Sequence, residues 1–340
     1  MRIISFNEAL QNSESQSKRH LLLGNGFSIA CRPNIFSYGR LFEQADFSQL
    51  PPSAHQVFEH LDTEDFEKVI SILRDSAKIL DVYDDSAERL AIRIKQDADS
   101  LREVLVQTLA MNHPAHPGEI SESEFQFCKD FLKNFACIYS LNYDLLLYWV
   151  CMHTLEDDEK IISDDGFRKP YGNEEANYVT WEPNNSRSQN LWFLHGALHL
   201  FDAGYELRKY TWKNTNIRLI DQIRAALKSN LFPVFVSEGK SKEKVDRIRH
   251  NDYLAKASRS FSSISGALFI YGHSLAENDE HFLKSIEKGR VKQLYVGIYG
   301  DDKSKANKKI ISRAMRMATL RKKSDLEVFF FNAESAHVWS

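Results

Sequence analysis

The chain has 340 residues, of which 43% are hydrophobic and 27% charged, with a formal net charge of −3. This composition is typical of a globular protein with a substantial core, and the charge gives no general attraction to nucleic acid. The chain has four cysteines and no C-x-x-C pair, which argues against a zinc ribbon and indicates a reducing compartment. The first 20 residues lack the pattern of a signal peptide, and no apolar stretch is long enough to span a membrane. We therefore expect a cytoplasmic protein without a membrane partner.

Short apolar runs predict the strands of a sheet. They are Leu21–Leu23, Ala136–Leu141, Leu191–Leu194, Phe232–Val236, Ala267–Tyr271, Leu294–Tyr299 and Leu326–Phe331. Most of them are continuously apolar, which is typical of strands that are covered on both faces. Helical patterns lie between them, for example at Leu219–Leu227 and Asp279–Lys288. The alternation predicts a Rossmann-like, doubly wound α/β fold with a mostly parallel sheet.

The stretch from 41 to 134 has a different pattern. It contains no convincing strand, and Phe66, Val69, Ile70 and Leu73 fall on one face of a helix. We expect an α-helical insertion here, after the first predicted strand. Two polar or charged loops are expected further on, at residues 172–190 and 237–251.

Four polar clusters follow predicted strands directly. They are Gly24-Asn25-Gly26-Phe27-Ser28, Ser140-Leu141-Asn142-Tyr143-Asp144, His195-Gly196 and Gly272-His273-Ser274. In an open α/β sheet the carboxyl ends of the strands form the crevice where ligands bind. The sequence therefore predicts that these clusters share one site.

The first two clusters each allow two interpretations. Gly24 and Gly26 permit positive φ and close approach of a ligand, and a following helix would point N–H groups at a phosphate. The full G-x-G-x-x-G pattern is absent because Ile29 stands at the next position, so an ordinary strand-to-helix turn is the alternative. Asn142 and Asp144 suit a sugar hydroxyl and a water, or else a turn and helix cap.

The clusters His195-Gly196 and Gly272-His273-Ser274 also allow more than one interpretation. His195 is placed for general-base chemistry near neutral pH, and a structural histidine is the alternative. A metal site with His199 lacks a third ligand at suitable spacing. Gly272 and Ser274 suit the adenosine side of a dinucleotide, or again form a plain turn.

In this order, the clusters resemble the sirtuin-like (silent-information-regulator-like) NAD-consuming family. The matches are Gly24, Gly26 and Ser28 with G-A-G-x-S, Phe36 with a later Phe, Asn142 and Asp144 with T-Q-N-x-D, His195-Gly196 with H-G, and Gly272 and Ser274 with G-x-S. The resemblance covers residues 20–40 and 135–300. It implies a single sirtuin-like domain over residues 1–340, with its core at 18–40 and 135–340 and the helical insertion at 41–134.

Two departures separate the chain from the deacylases of that family. It lacks their four-cysteine zinc module, and Ser37 stands where they have an arginine. The chain is more similar to the zinc-free branch of bacterial antiphage effectors, in which helices are inserted after the first motif. The run Phe66–Ile70 (FEKVI) adds to that similarity.

The resemblance implies hydrolysis of NAD, as substrate and without a metal, to nicotinamide and ADP-ribose. Asn142 would orient the nicotinamide ribose and the attacking water, His195 would act as general base, and Asp144 would hold the nicotinamide amide or support its loop. Phe36 would shield the reacting carbon or block the return of nicotinamide. The implied binding residues are Gly24, Asn25, Gly26, Phe27, Ser28, Phe36, Gly272, His273 and Ser274.

The resemblance also implies a role and partners. The enzyme would be a toxic, NAD-depleting effector of abortive infection, held inactive until a trigger arrives. We expect a homo-oligomer or a complex with a separate sensor subunit, either a nucleotide-binding pyrophosphatase-like protein or a ring ATPase. The alternatives are a non-catalytic sensor of NAD or ADP-ribose derivatives, a Rossmann dehydrogenase, and an interaction protein. The last would dock through the basic segment 303–325, which otherwise predicts an amphipathic helix with a solvated basic face.

Overall fold

Seven parallel strands form the central sheet of the computed structural model. The structure describes residues 2–48, 50–83, 87–153, 163–173, 175–185, 188–204, 206–211, 217–229, 231–236, 244–245, 248–321 and 325–340. The strands of this sheet are β1 (Ile3–Ile4), β2 (Arg19–Leu23), β3 (Cys137–Ser140), β6 (Leu191–Phe193), β10 (Ser265–Tyr271), β11 (Arg290–Ile298) and β12 (Glu327–Asn332). Their order is β1-β12-β11-β10-β2-β3-β6, and each pair is parallel. The predicted Rossmann-like α/β fold is confirmed.

The inner strands have the burial that their sequences predict. Leu21, Leu22 and Leu23 of β2 are fully buried, as are residues 267–270 of β10, because helices cover both faces of a doubly wound sheet. The strands also end level with one another: Leu23 lies opposite Tyr271 on one side and Ser140 on the other. The residues that follow these three strands therefore emerge at one edge.

The chain order reverses between β2 and β10. From β2 the sheet continues through β3 and β6 to one side, and from β10 it continues through β11 and β12 to the other. Such a switch point leaves a crevice outside the carboxyl ends of the two central strands. The loops that begin at Gly24 and Gly272 meet there.

Helices connect the strands and cover the sheet. In chain order they are α1 (Phe6–Asn12), α2 (Gly26–Cys31), α3 (Pro33–Phe36), α4 (Tyr38–Gln44), α5 (Pro52–His60), α6 (Phe66–Tyr83), α7 (Glu88–Asn112), α8 (Glu122–Leu132), α9 (Leu146–Met152), α10 (Leu219–Lys228), α11 (Asp252–Ser262), α12 (Glu280–Lys288) and α13 (Lys305–Leu320). The described residues between 41 and 134 form helices and no strand, as the sequence predicts. Over the same described parts of the chain, no helix combines the length and apolarity that crossing a membrane requires.

A second sheet was not predicted. Its strands β4 (Phe167–Arg168), β5 (Tyr178–Trp181), β7 (Gly196–Asp202), β8 (Leu207–Tyr210) and β9 (Pro233–Phe235) are antiparallel, in the order β4-β5-β8-β7-β9. The expectation that the run Phe232–Val236 joins the parallel sheet was wrong, since β9 pairs with β7. A short apolar run does not reveal which sheet will accept it.

The structure alters one of the two predicted loops. The segment 172–190 was predicted as a polar loop, but it contains β5, a strand of four residues between polar flanks. Most of the predicted charged loop at 237–251 lies outside the described residues. Lys244 within it is described, and it is fully buried.

Candidate active site at the carboxyl edge of the sheet

A cavity of about 1320 Å³ runs along the carboxyl edge of the parallel sheet. Residues that follow six strands line it, namely Gly24, Asn142, His195, Gly272, Tyr299 and Ala333, and helices α6, α7 and α13 contribute Glu67, Leu105 and Arg313. Sites for small ligands usually have volumes of about 300–1,000 Å³. The cavity is therefore large enough for a ligand with several linked groups.

The turn after β2 is packed against the turn after β10. Gly24 N–H donates to the carbonyl of Tyr271 at 2.9 Å, and Gly26 N–H donates to that of Gly272 at 2.8 Å. A Cβ on Gly24 would lie 2.7 Å from Gly272 O, and one on Gly26 would lie 2.5 Å from Gly272 Cα. Both glycines are thus required for the contact between the two turns.

This geometry corrects the predicted reason for the glycines. Neither Gly24 nor Gly26 has positive φ, whereas Gly272 does, at +69°. The first N–H groups of α2 are also used within the turn: Phe27 donates to Gly24 and Ser28 to Asn25, each at 3.0 Å. The prediction that this helix directs free N–H groups at a phosphate was therefore wrong for these residues.

Asn142 is fixed by a chain of buried side chains. Its Nδ2 donates to Ser28 Oγ at 2.9 Å, and Ser28 Oγ donates to Asp144 Oδ2 at 2.5 Å. Asp144 Oδ1 accepts the N–H of Leu146 at 2.9 Å. Burial raises the pKa of Asp144, while the bonds from Ser28 and Leu146 act in the opposite direction. The chain anchors Asn142 through the first turns of α2 and α9.

The same chain determines which way the Asn142 amide points. A hydroxyl has one proton, and that of Ser28 is used on the Asp144 carboxylate, so Ser28 Oγ can only accept from Asn142. The NH₂ group of Asn142 therefore faces Ser28. Its Oδ1 is buried and has no hydrogen-bond partner among the described residues, although Asn142 lines the cavity. A buried acceptor without a partner is an available contact for a ligand hydroxyl or a water.

His195 stands at the junction of the two sheets. Gly196, which follows it, has a φ of +81°, and a Cβ there would lie 1.9 Å from Val234 O, so this sharp turn requires glycine. The His195 ring lies beside Phe282, with ring centroids 5.4 Å apart. Burial and then the nearby charge of Lys244 lower the pKa of His195 well below its ordinary value. The ring is therefore neutral at pH 7, the state that a general base needs.

A buried charge cluster, composed of Glu67, Lys244, His273 and Asp279, lies against His195. Lys244 Nζ is 3.2 Å from Asp279 Oδ1 and 3.3 Å from Glu67 Oε2. His273 Nε2 is 3.0 Å from Asp279 Oδ2, and His195 Nε2 is 3.5 Å from Asp279 Oδ1. The cluster joins the helical insertion, through Glu67 on α6, to the turn after β10.

Lys244 and Asp279 each stabilise the charged form of the other. Burial lowers the pKa of Lys244, but Glu67 and Asp279 outweigh it and raise that pKa overall, so Lys244 is an ammonium. Burial raises the pKa of Asp279, yet Lys244 and His273 hold it well below its usual range. Burial, with Asp279 nearby, raises the pKa of Glu67. Asp279 is therefore the ionised carboxylate that faces His195.

Sequence reasoning missed most of this cluster as functional. Glu67 did carry a signal, because it is a carboxylate next to the apolar helix face that Phe66 and Val69 form on α6. Tyr143, whose hydroxyl donates to Glu67 Oε1 at 3.2 Å, lies between two residues that were selected. No sequence signal marked Lys244, because it is one of several lysines in a charged stretch.

The remaining predicted residues fall into two groups. Asn25, Phe36, His273 and Ser274 line the cavity, and Asn25 Nδ2 donates to the carbonyl of Phe36 at 3.0 Å. Phe27 lies outside the cavity lining, where its ring packs on Trp339 at 5.0 Å. Ser28 is also not a lining residue, and its hydroxyl acts through Asn142 and Asp144.

The alternative of a metal site at His195 and His199 finds no support in the geometry. The ring of His199 stacks on Tyr148, with centroids 4.8 Å apart, whereas His195 faces Asp279. In the described portion of the chain, no three histidine, cysteine or acidic side chains are grouped so that they could hold a metal ion.

A family model described as Domain of unknown function (DUF4917) matches residues 21–339. That range runs from β2 to beyond β12 and so includes the strands that end at the cavity. None of the curated proteins matches the chain.

Proposed function

We propose that this chain, which belongs to the DUF4917 family, is an enzyme that hydrolyses NAD to nicotinamide and ADP-ribose. One observation carries the proposal. Asn142 Oδ1 is a buried acceptor with no hydrogen-bond partner among the described residues, and Asn142 lines the same large cavity as His195, whose imidazole is neutral. An oriented amide oxygen and a neutral imidazole are the groups that activation of a water beside a ribose requires.

The shape of the cavity supports a dinucleotide substrate. It crosses β6, β3, β2, β10 and β11, which is four interstrand steps of about 4.8 Å, or about 19 Å in all. With the nicotinamide ribose at Asn142 and His195, the adenosine half extends past Gly272 toward Tyr299 and α13. The pyrophosphate then crosses the switch point, where ligands of this fold class bind.

The reaction follows from these positions. The bond between ribose C1′ and the nicotinamide nitrogen breaks, and its electron pair leaves with nicotinamide, so that the ribose passes through a cationic transition state. Asn142 Oδ1 accepts a hydrogen bond from a ribose hydroxyl or from the attacking water. The water oxygen bonds to C1′, and its proton passes to His195 and then to solvent.

The geometry favours one of the two roles expected for Asp144. Its two oxygens accept from Ser28 and from the Leu146 N–H. We therefore assign Asp144 to holding the loop and the Asn142 amide, and not to the nicotinamide amide. Phe36, which is buried and lines the cavity, keeps the role of shielding the reacting carbon.

The proposal is tested by incubating purified protein with NAD, alone and in an extract of phage-infected host cells that supplies the trigger, and quantifying nicotinamide by chromatography. We expect Asn142→Ala and His195→Ala each to lower the rate by about 10²–10⁴-fold. His60→Ala, an exposed histidine at the end of α5 and outside the cavity, is the matched control and should turn over NAD like the wild type.

Two results would overturn the proposal. Wild-type protein that binds NAD and releases no nicotinamide, either alone or in an extract of phage-infected host cells, would instead be a non-catalytic sensor. Equal rates for the wild type and both cavity variants would place the chemistry elsewhere. A hydride-transfer assay with NAD distinguishes the remaining alternative, a dehydrogenase.

The biological role is proposed on the sequence resemblance alone. In that role the enzyme depletes NAD during phage infection, after activation by a trigger or a separate sensor subunit. Native mass measurement of the protein purified from its own host tests for such a subunit and for a homo-oligomer. NAD levels in infected cells that carry the wild type or His195→Ala test the depletion.

A further inference from the structure

We infer that Asp279 is a positioning residue for His195, whose imidazole it holds with the proton on Nε2 so that Nδ1 is free to take a proton. The catalytic part of this inference rests on the proposed function, while the part that concerns the tautomer stands on the geometry alone. It assigns a role to a carboxylate that the sequence pattern marks only as the start of a helix.

His273 carries its ring proton on Nε2 and directs it at Asp279. The N–H of Leu275 donates to His273 Nδ1 at 3.0 Å, so Nδ1 has no proton and Nε2 carries it. His273 Nε2 therefore donates to Asp279 Oδ2, 3.0 Å away. One oxygen of Asp279 is thereby fixed in direction, and the other is turned toward Lys244 and His195.

Four titratable or charged groups face His195. They are Lys244, Asp279, His281 and His273, with the Tyr143 ring stacked at 6.2 Å. Lys244 has only protons to donate, and burial lowers the pKa of His281 to about 4, so that His281 is neutral. Asp279 is the anion in this set, and its Oδ1 is 3.5 Å from His195 Nε2.

The carboxylate of Asp279 determines which ring nitrogen of His195 carries the proton. A lone pair on Nε2 would point at the ionised carboxylate of Asp279 and be repelled, whereas an N–H there is attracted. The 3.5 Å separation is long for a hydrogen bond, but catalytic hydrogen bonds often tighten only when substrate is bound. With the proton on Nε2, the lone pair of the ring lies on Nδ1.

Asp279 also stabilises the charged form of the His195 ring. When Nδ1 accepts the proton of the attacking water, the ring becomes an imidazolium beside Lys244. Without Asp279, that cation would face an ammonium inside the protein, which is strongly unfavourable at low dielectric. Asp279 offsets this repulsion, and the charge of Asp279 also raises the pKa of His195 relative to a site without it.

The tautomer can be measured without any turnover. In protein labelled with ¹⁵N-histidine, the shifts of the two ring nitrogens show which one carries the proton, and His195→Gln assigns the signal. We expect the Nε2–H form for His195 in the wild type at pH 7. The Nδ1–H form would overturn the inference, whatever the activity of the protein.

The catalytic part is tested with Asp279→Asn, which keeps the shape of the side chain and removes its charge. We expect kcat to fall by about 10²–10⁴-fold with KM for NAD nearly unchanged, because Asp279 acts on the base. The acidic limb of the kcat/KM profile should move to lower pH, since losing the anion lowers the pKa of His195. Asp279→Glu should restore part of kcat.

Asp165→Asn is the matched control for a merely structural effect. Asp165 also pairs with a buried lysine, Lys209, but it lies outside the cavity, so its variant should keep the kcat and pH profile of the wild type. Should the wild type release no nicotinamide even in the extract of infected cells, the proposed function fails and the tautomer still decides the role of Asp279. Should the wild type be active and Asp279→Asn match it in kcat and pH profile, this inference fails and the proposed function stands.

Discussion

Ser28 and Asp144 are 116 positions apart in the sequence and share a 2.5 Å hydrogen bond. The bond forms because β2 and β3 are neighbours in the sheet and end level, with Leu23 opposite Ser140. It connects the first turn of α2 to the loop before α9, and Asn142 is anchored on it. The motif G-N-G-F-S thus contributes to the site chiefly by holding Asn142.

Ser28→Ala should destabilise the protein and slow the proposed reaction. Its loss leaves the Asp144 carboxylate and the Asn142 amide buried with one partner fewer each. We expect the free energy of unfolding to fall by about 1–3 kcal/mol, measured by denaturant titration, and nicotinamide release to slow because the amide is no longer fixed. Ser263→Ala, which alters an exposed hydroxyl after α11, should change neither. Unchanged stability in Ser28→Ala would show that the chain of hydrogen bonds contributes little.

Gly26→Ala should disrupt the contact between the two central turns. The added Cβ meets the backbone of Gly272 at 2.5 Å, and backbone cannot move aside as the tip of a side chain can. Overpacking of this kind costs about 1–3 kcal/mol, to be read from thermal or denaturant unfolding. In the control Gly39→Ala, the Cβ meets the carboxylate of the exposed Glu64 at 2.7 Å, which can swing away. Gly39→Ala should therefore be at least as stable as the wild type, and equal stability of the two variants would contradict the argument.

The fold was predictable where the sequence is strongly patterned. Continuous apolar runs such as Leu21–Leu23 and Ala267–Tyr271 identify strands that are buried on both faces, and these belong to the parallel sheet. The polar clusters that follow them lie around one cavity because parallel strands end at one edge. The antiparallel sheet escaped prediction in part because β4 and β5 have only two and four residues, too few to show a period. The apolar run of β9 was predicted as a strand, but its sequence does not reveal which sheet accepts it.

The site was predictable only in part, for a related reason. Asn142 and His195 follow strands directly, so their position can be read from the chain. The pairing of Lys244 with Glu67 spans 177 positions and depends on how α6 packs over the edge of the sheet. The requirement for Gly24 and Gly26 likewise comes from a distant backbone segment at Gly272. Contacts of this kind leave no local pattern.

His113 should make stability depend on pH. Its Nε2 accepts the N–H of Leu145 at 3.0 Å, and its Nδ1 lies 3.0 Å from the carbonyl of Pro114, so the neutral ring satisfies both groups. Burial lowers the pKa of His113 from 6.5 to about 4. Between these values the unfolded chain binds the proton and the folded chain does not, so stability is lost as pH falls from 6.5 to about 4.

The measurement is the free energy of unfolding against pH for the wild type and His113→Gln. Other buried histidines titrate in the same range, so the difference between the two proteins carries the test. We expect that difference to grow as pH rises from about 4 to 6.5 and then to level off. A difference that stays constant over this range would show that His113 does not contribute the dependence.

Arg316→Ala should weaken binding of the substrate without affecting the chemical step. Arg316 lines the cavity and lies on α13, which packs on β12. In the sheet β12 is five strands from β6, which His195 follows, so the proposed function places the adenosine half of NAD near Arg316. A hydrogen bond to a charged group contributes about 1.5–3 kcal/mol, so its loss should raise KM by about tenfold or more. Because Arg316 is remote from the bond that breaks, kcat should be unchanged. The control is Arg259→Ala, which removes an exposed arginine on α11 outside the cavity and should alter neither kcat nor KM. A fall in kcat at constant KM for Arg316→Ala would mean that NAD is bound in a different orientation.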